Sequence, residues 1–365
     1  VDMTTHRRDL AIWGYAFGYF ACYAPYSALT KALSQGALDG MTRGVSGFEL
    51  LPWSTLASGV GMFLFLTARG WWQHASTRTV LGVRVPFPGP WTFLSGLCSA
   101  AIIATTTLAY TFSGTSIVFM MLLMRGGVLI LAPLVDVLSR RRVAWPSWVA
   151  LGLSFAAVAV ATAPGVDARV TAAALVDLGV YLLGYFIRLR FMSRLAKSGE
   201  PSVGIRYFVE EQMVATPVLV AVLAVGALIG EGPVLSDLRH GFTELFARGR
   251  VLEELLVGVL SQGTGIFGGL ILLDHRENSF CVPVNRASSI IAGVVATGLL
   301  SALLGMPGAG TREMVGAALV MGAMLVLGLP TVLAARRAAK RAVGLPEAGA
   351  GAPGGEPTSP RSRAG

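Results

Sequence analysis

Charge, lysine, histidine and cysteine are all scarce in this 365-residue chain. Charged residues make up 13% of it, against about 25% in an ordinary soluble domain, which argues against a soluble globular fold. The four histidines (His6, His74, His240, His275) are scattered and form no HExxH or other catalytic cluster, so an enzyme is not expected. Three cysteines, Cys22, Cys98 and Cys281, fall inside apolar runs at no metal-ligand spacing. They read as small core residues, which leaves no disulfide framework, no metal site and no cofactor to expect. A nucleotide-hydrolysis P-loop is missing too, so ATP drive would need another chain.

What the chain has instead is apolar length: 54% hydrophobic residues and 45 glycines, with a mean hydropathy of +0.65. Its net charge of +9 would suit nucleic acid. The basic residues, however, sit in short clusters between apolar runs, where they orient a membrane protein, so no nucleic-acid partner is expected. Apolar runs lie near 10–30, 48–68, 91–111, 115–138, 147–164, 170–191, 205–230, 252–273, 280–304 and 313–334. Roughly 20 residues of helix cross a bilayer core, and the alternation of a membrane barrel is absent. Even the first run is about 20 residues, too long for the apolar part of a signal peptide. The sequence therefore predicts an all-α polytopic protein with ten transmembrane helices in the lipid bilayer. The preponderance of arginine over lysine, with abundant Ala and Gly, suggests a bacterial inner (cytoplasmic) membrane.

Orientation follows from the basic residues. With the N-terminus inside, 20 arginines and lysines fall on the inner side, including Arg188, Arg190, Arg194 and the Arg140–Arg142 turn, and 7 on the outer side, Lys31 and Arg43 among them. Discounting the distal Arg361 and Arg363 leaves eighteen against seven, which places both termini in the cytoplasm. Residues 115–164 and 279–330 share an outline: a polar start, an apolar helix interrupted by arginine, a short turn and a Gly/Ala-rich helix. Arg125 and Arg286 thereby fall in the fourth helix of two five-helix halves. An odd-numbered repeat inserts its second copy upside down, the 5+5 inverted repeat of secondary transporters, with the substrate site at mid-membrane. The expected organisation is a cytoplasmic N-terminus (1–9), a first repeat (10–165), a second repeat (166–334) and a basic, then disordered, cytoplasmic tail (335–365). Within the second repeat, 231–251 places Leu235, Leu238, Phe242, Leu245 and Phe246 on one helical face, an amphipathic segment on the outer surface.

Polar residues inside the spans are the candidate site, because a charge near mid-bilayer costs on the order of 2.5–3.5 kcal/mol on insertion scales and must face a cavity or a partner. Arg125 lies close to mid-depth among apolar neighbours. It binds an anionic group, holds a coupling acid, or clamps helix packing. Arg286 follows Pro283 and Asn285, where a freed carbonyl suits a broken helix at a binding site. Glu210 has Arg206 four residues before it and reads as its ion-pair partner. Glu211 points about 100° away, toward the cavity, as a proton or substrate-cation contact. Asp177 sits two turns into the sixth run and has the reach to pair with an arginine. Glu49 starts the second run, as a coupling acid or as a helix-dipole partner, and Asp136 reads as pairing with Arg140. Tyr15, Tyr19, Tyr23 and Tyr26 form one stripe roughly 16 Å long on the first helix, a cavity wall of ring faces and hydroxyls. Thr106 on the third helix, on one face with Ser95, Ser99 and Tyr110, is a substrate candidate, with helix–helix hydrogen bonding an equally good account of that face; Gln262 on the eighth, beside Ser261 and Thr264 at the depth of a substrate, completes the candidates. Gly263, Gly265 and Gly268 match GxGxxG, but no strand precedes them, so close helix packing is expected rather than a dinucleotide site.

The sequence Met124-Arg125-Gly126, the Arg140-Arg141-Arg142 turn, and then Trp148 and Gly152 resemble the drug/metabolite transporter superfamily (EamA-like), nearer its nucleotide-sugar-transporter-like branch. The resemblance implies a ten-helix carrier with a central cavity and with helices five and ten outside it, supporting a homodimer. Gly152 and Ala156, and Ala318 and Gly322, have the spacing such a contact would use. The Gly-Glu that often follows helices four and nine in bacterial EamA proteins is replaced by Asp136-Val137-Leu138-Ser139-Arg140 and Leu304-Gly305-Met306-Pro307, so the exporters' substrates do not carry over. The expected function is secondary active transport, by alternating access, of a small polar or amphipathic metabolite bearing a carboxylate or phosphate. Its buried acids allow proton coupling or antiport. The alternatives are a channel, a scramblase or a non-transporting scaffold, with an intramembrane enzyme behind them for want of catalytic parts.

Overall fold

The computed structural model describes residues 3–80, 82–138, 145–161, 172–196, 201–244, 246–272 and 278–342. Each of the ten apolar runs corresponds, over its described residues, to a helix of its own. In chain order these are α1 (Met3–Gln35), α2 (Gly47–Ala68), α3 (Pro90–Ala109), α4 (Ile117–Leu138), α5 (Trp145–Ala161), α6 (Ala172–Leu195), α7 (Pro201–Ile229), α8 (Gly232–Thr243), α9 (Val251–Leu272), α10 (Asn278–Leu304) and α11 (Thr311–Ala342). The additional helix, α8, is the amphipathic segment. Its Leu235, Leu238 and Phe242 pack with Leu51 of α2 and Leu223 of α7. Leu245 lies outside the described residues, and Phe246 is exposed.

Six of these helices, α2, α3, α6, α7, α9 and α10, are long and apolar enough to cross a membrane. Shorter apolar stretches, Ile117–Leu131 and Trp148–Val160, occupy α4 and α5. Burial runs opposite to a soluble protein's. Phe17, Phe63, Leu228, Leu303 and Leu325 are exposed, while Arg125, Arg286, Glu211 and Asn285 are buried. Polar inside and apolar outside is the arrangement a lipid solvent selects. The chain is an integral membrane protein.

The residues divide into a large compact unit, Val1–Gly328, and a small one, Leu329–Gly365. In the large unit α1 packs on α9 and α10, α2 on α7, α8 and α9, α3 on α6 and α7, and α4 on α5, α6 and α10. Glycines set the closest approaches. A Cβ added at Gly258 of α9 would lie 2.1 Å from the Ser54 carbonyl oxygen of α2, and one at Gly96 of α3 would lie 2.5 Å from Val214 Cβ of α7. The GxGxxG segment behaves likewise: Gly263 faces Cys22 and Gly268 faces the Tyr19 ring, so close packing accounts for both. On α5 and α11, Gly152 and Gly322 have nothing within 4 Å of an added Cβ, and Ala156 and Ala318 are exposed. In the small unit, the described residues continue α11 to Ala342.

Between α2 and α3 the chain forms a two-stranded antiparallel hairpin, β1 (Thr77–Val80) with β2 (Val83–Pro86), turning at Gly82 with φ +80°. The sequence reading has no strand here. An isolated hairpin is marginal in water, and this one is secured from α7. Glu210 accepts from the backbone N–H groups of Ser76 (3.1 Å) and Gly89 (3.0 Å) and from Thr92 Oγ1 (2.6 Å). Gly89 is the N-cap of α3, so the carboxylate also sits at a positive helix end. The expected Arg206 contact is present but long, at 3.6 Å. Glu210 is chiefly a backbone clamp.

Candidate functional site

The site is assembled from helices of both halves of the chain. Along α6, Asp177, Tyr181, Tyr185 and Arg188 recur at spacings of four, four and three, which puts them on one face. That face meets α4 because Gly127 allows close approach, an added Cβ there falling 2.7 Å from Leu182 Cδ2. Arg125, two residues earlier on α4, is thereby enclosed by tyrosines. Its Nη1 donates to Tyr181 Oη and its Nη2 to Tyr23 Oη of α1. Its Cζ lies 5.4 Å from the Tyr23 ring centroid and 5.7 Å from that of Tyr181, within cation–π range. Tyr23 in turn hydrogen-bonds Tyr110 Oη of α3 at 2.7 Å. Arg286 on α10 repeats the theme, with Cζ 4.6 Å from the Tyr185 ring and Nη1 3.4 Å from its hydroxyl. Seven of the chain's eight tyrosines are buried: 19, 23, 26, 110, 181, 185 and 207.

Of these side chains, Tyr19, Tyr23, Tyr26, Arg125, Tyr185 and Arg188 border a central chamber of about 120 Å³. Of the substrate candidates, Tyr19, Tyr23, Thr106, Arg125, Gln262 and Asn285 line it. Arg286 is buried behind Tyr185, and Tyr15 is half-buried and outside the lining. Ser58 of α2 donates to Gln262 Oε1 at 2.7 Å, and Gln262 Nε2 has no partner among the described residues. Asn285 Nδ2 donates to the Gly268 carbonyl at 3.4 Å.

The three coupling candidates have three different fates. Glu211 is fully buried and held by Arg188 in a bidentate pair, at 2.7 Å to Nε and 2.8 Å to Nη2, with Ser95 and Ser99 of α3 donating at 2.8 and 2.9 Å. Glu49 completes a capping box, accepting from Ser46 N–H at 2.9 Å, and takes two hydrogen bonds from Arg43. It is a helix-start residue outside the chamber lining. Asp177 is buried, and among the described residues neither carboxylate oxygen has a hydrogen-bond partner. The arginine the sequence offered it is therefore not in place. The Arg140–Arg142 turn, and with it the expected Asp136–Arg140 pairing, lies outside the described residues.

Sequence reasoning missed Tyr181, Tyr185 and Arg188. The two tyrosines carry the same four-residue spacing that singled out Tyr19 and Tyr23, so that signal was present. Arg188 was counted with the inner-side charges for its nearness to the end of the sixth run, whereas it lines the chamber. Lys31, counted outside, is likewise buried and donates to the Phe112 and Thr115 carbonyls at 2.7 and 2.8 Å, closing the turn after α3.

No protein-family model matches the chain, and no curated protein matches it. Among solved structures, one described only as "Crystal structure of protein" aligns over 90% of this chain and 98% of its own, at 15% identity and a TM-score of 0.47. At that identity and TM-score the likeness carries no argument about function.

Proposed function

We propose that the protein is a secondary active transporter of the drug/metabolite transporter type, which moves a small polar or amphipathic anion by alternating access through the central chamber. One observation carries the reading. Among the described residues, the hydrogen bonds of Arg125 and Arg286 go only to tyrosine hydroxyls, and both Nε atoms are buried without a partner. A buried cation with no counter-ion is strongly unfavourable, and a bound carboxylate or phosphate relieves it. The orphaned Gln262 Nε2 adds a third donor around the same space.

The packing supports the ten-span, 5+5 inverted repeat. Exchanging α1 with α6, α2 with α7, α3 with α9 and α4 with α10 turns α1 on α9 into α6 on α3. It turns α2 on α9 into α7 on α3, and α1 on α10 into α6 on α4, and all six pairings are present. Side chains follow the exchange: Tyr19 and Tyr23 answer to Tyr181 and Tyr185, and Gly258 against α2 answers to Gly96 against α7. In this reading both termini are cytoplasmic, and the uncovered small residues of α5 and α11 suit a second copy of the chain. Asp177, one turn beyond Tyr181 and without a partner, is the candidate for proton coupling. Glu211 and Glu49 are committed to arginines.

Proteoliposome flux with a panel of small carboxylates and phosphates tests the function. Saturable uptake with counterflow is expected for at least one anion, falling by two orders of magnitude or more in Arg125→Ala. Flux without counterflow indicates a channel. Unchanged affinity and flux in Arg125→Ala removes the proposed anion site.

A further inference from the structure

Gln212 of α7 lines the chamber and also lines a second cavity, of about 520 Å³, on the outer side of α2 and α7. Two neighbouring residues of α2 divide in the same way, Ser58 lining the chamber and Gly59 the second cavity. Gly59 lets the helices meet there, and a Cβ added to it would come within 2.9 Å of Thr216 Cγ2. Beyond this point the outer cavity is apolar, walled by Leu56, Met62, Phe63, Met213 and Val220, with Phe63 and Val60 exposed toward the lipid. Polarity and size are thus divided between two spaces with Gln212 between them, a small one ringed by tyrosines and guanidinium groups and an apolar one more than four times its volume.

We propose that the substrate is an anionic amphiphile whose head sits on Arg125 in the chamber while its single apolar chain passes Gln212 and lies in the α2–α7 groove, open to the bilayer. This rests on the anion-carrier reading above and specifies the substrate class. Annular lipid alone would fill the groove but would not account for a polar side chain, Gln212, shared between it and a cationic chamber. A chamber of about 120 Å³ is small beside the 300–1,000 Å³ of typical ligand pockets, which suits a headgroup better than a whole metabolite. The groove gives the remainder of the molecule an apolar place to be buried without closing it off from the membrane it came from.

The full-length protein in phosphatidylcholine proteoliposomes provides the test, with ethyl phosphate and dodecyl phosphate as probes of one head and two chain lengths. Inhibition of ethyl phosphate counterflow is measured for wild type, Val220→Trp and Leu56→Trp, the last two filling opposite walls of the groove. Each variant is compared with wild type for the same probe, so partitioning of the long chain into lipid cancels. Wild type is expected to respond to dodecyl phosphate at a concentration at least tenfold below that for ethyl phosphate. In the variants that advantage collapses while ethyl phosphate counterflow persists, which also certifies the fold. A full tenfold advantage retained in both variants overturns the chain subsite and leaves the Arg125 site standing. Absence of any response to either phosphate in wild type overturns the proposed phosphate-headed amphiphile, while the carrier reading falls only if the whole panel of carboxylates and phosphates shows no counterflow.

Discussion

Arg188 and Arg125 border the same chamber from α6 and α4, but their surroundings differ in kind. Arg188 meets a carboxylate, Glu211, which also accepts from Ser95 and Ser99, so the charge and hydrogen bonds of this α3–α6–α7 cluster are answered within the protein. Among the described residues Arg125 meets only ring faces and hydroxyls, as does Arg286, with an Nε–H donor left over on each. Buried charge alone therefore does not mark a binding residue. The distinction lies in whether the protein itself supplies the counter-ion. The first cluster is suited to holding helices in register, the second to recruiting an anion that is not part of the chain.

The largest effect that probes this contrast is on stability. Glu211→Ala leaves Arg188 buried and unpaired, and breaking such a pair from one side costs about 3–5 kcal/mol. The double change Arg188→Met with Glu211→Leu removes both charges at similar volume and should come within about 1 kcal/mol of wild type or exceed it. Arg125→Met strips away a cation that has no carboxylate partner, so unfolding in detergent should start no earlier than in wild type even though transport is lost. If Arg125→Met melts as early as Glu211→Ala, the two clusters are the same kind of structure and the contrast fails.

A smaller effect separates the hydroxyls. Tyr181→Phe keeps the ring against Arg125 but removes the acceptor of its Nη1, a charged hydrogen bond of about 1.5–3 kcal/mol. A saturating anionic ligand should restore most of that loss, because it supplies the missing acceptor. Tyr26→Phe, whose hydroxyl partner is Thr107, should lose only about 1 kcal/mol and gain nothing from the ligand. Thermal unfolding of both variants with and without ligand reads the difference directly.

The helices were legible because lipid imposes a length and polarity rule that shows residue by residue: every apolar run became a helix, and α8 was visible in the spacing of Leu235, Leu238 and Phe242. Much of the chamber was legible for the same reason, since Arg125, Asn285 and Gln262 have no business in hydrocarbon unless something polar surrounds them. Partners were not legible. Nothing local to Glu211 points to Arg188, 23 residues earlier; the pair exists because α6 and α7 both pack on α3, and packing is a long-range outcome. The hairpin was missed because its strands are four residues each, and the clamp that steadies them, Glu210, arrives from α7. Tyr181 and Tyr185 were missed although their spacing equals that of Tyr19 and Tyr23. Their likeness to the first tyrosine pair shows only when the first and sixth apolar runs are set side by side.

The smallest expected effect concerns Glu49, the coupling candidate whose partner is most exposed. Arg43, which it meets at 2.8 Å, is 59% exposed while Glu49 itself is 2% exposed, so the pair is screened by solvent from one side, and solvent-screened pairs contribute about 0.2–1 kcal/mol. Glu49→Gln keeps a side chain able to accept from Ser46 N–H in the capping box, as glutamine does in that motif. Its destabilisation should therefore stay below about 1 kcal/mol, with substrate flux and its pH dependence unchanged. The same substitution at Asp177, asparagine for aspartate, removes the one buried carboxylate among the described residues that has no hydrogen-bond partner and should flatten the pH profile of flux if protons are coupled there. A flux defect in Glu49→Gln at a normal unfolding temperature would reverse the assignment, moving proton coupling from the chamber stripe on α6 to the start of α2.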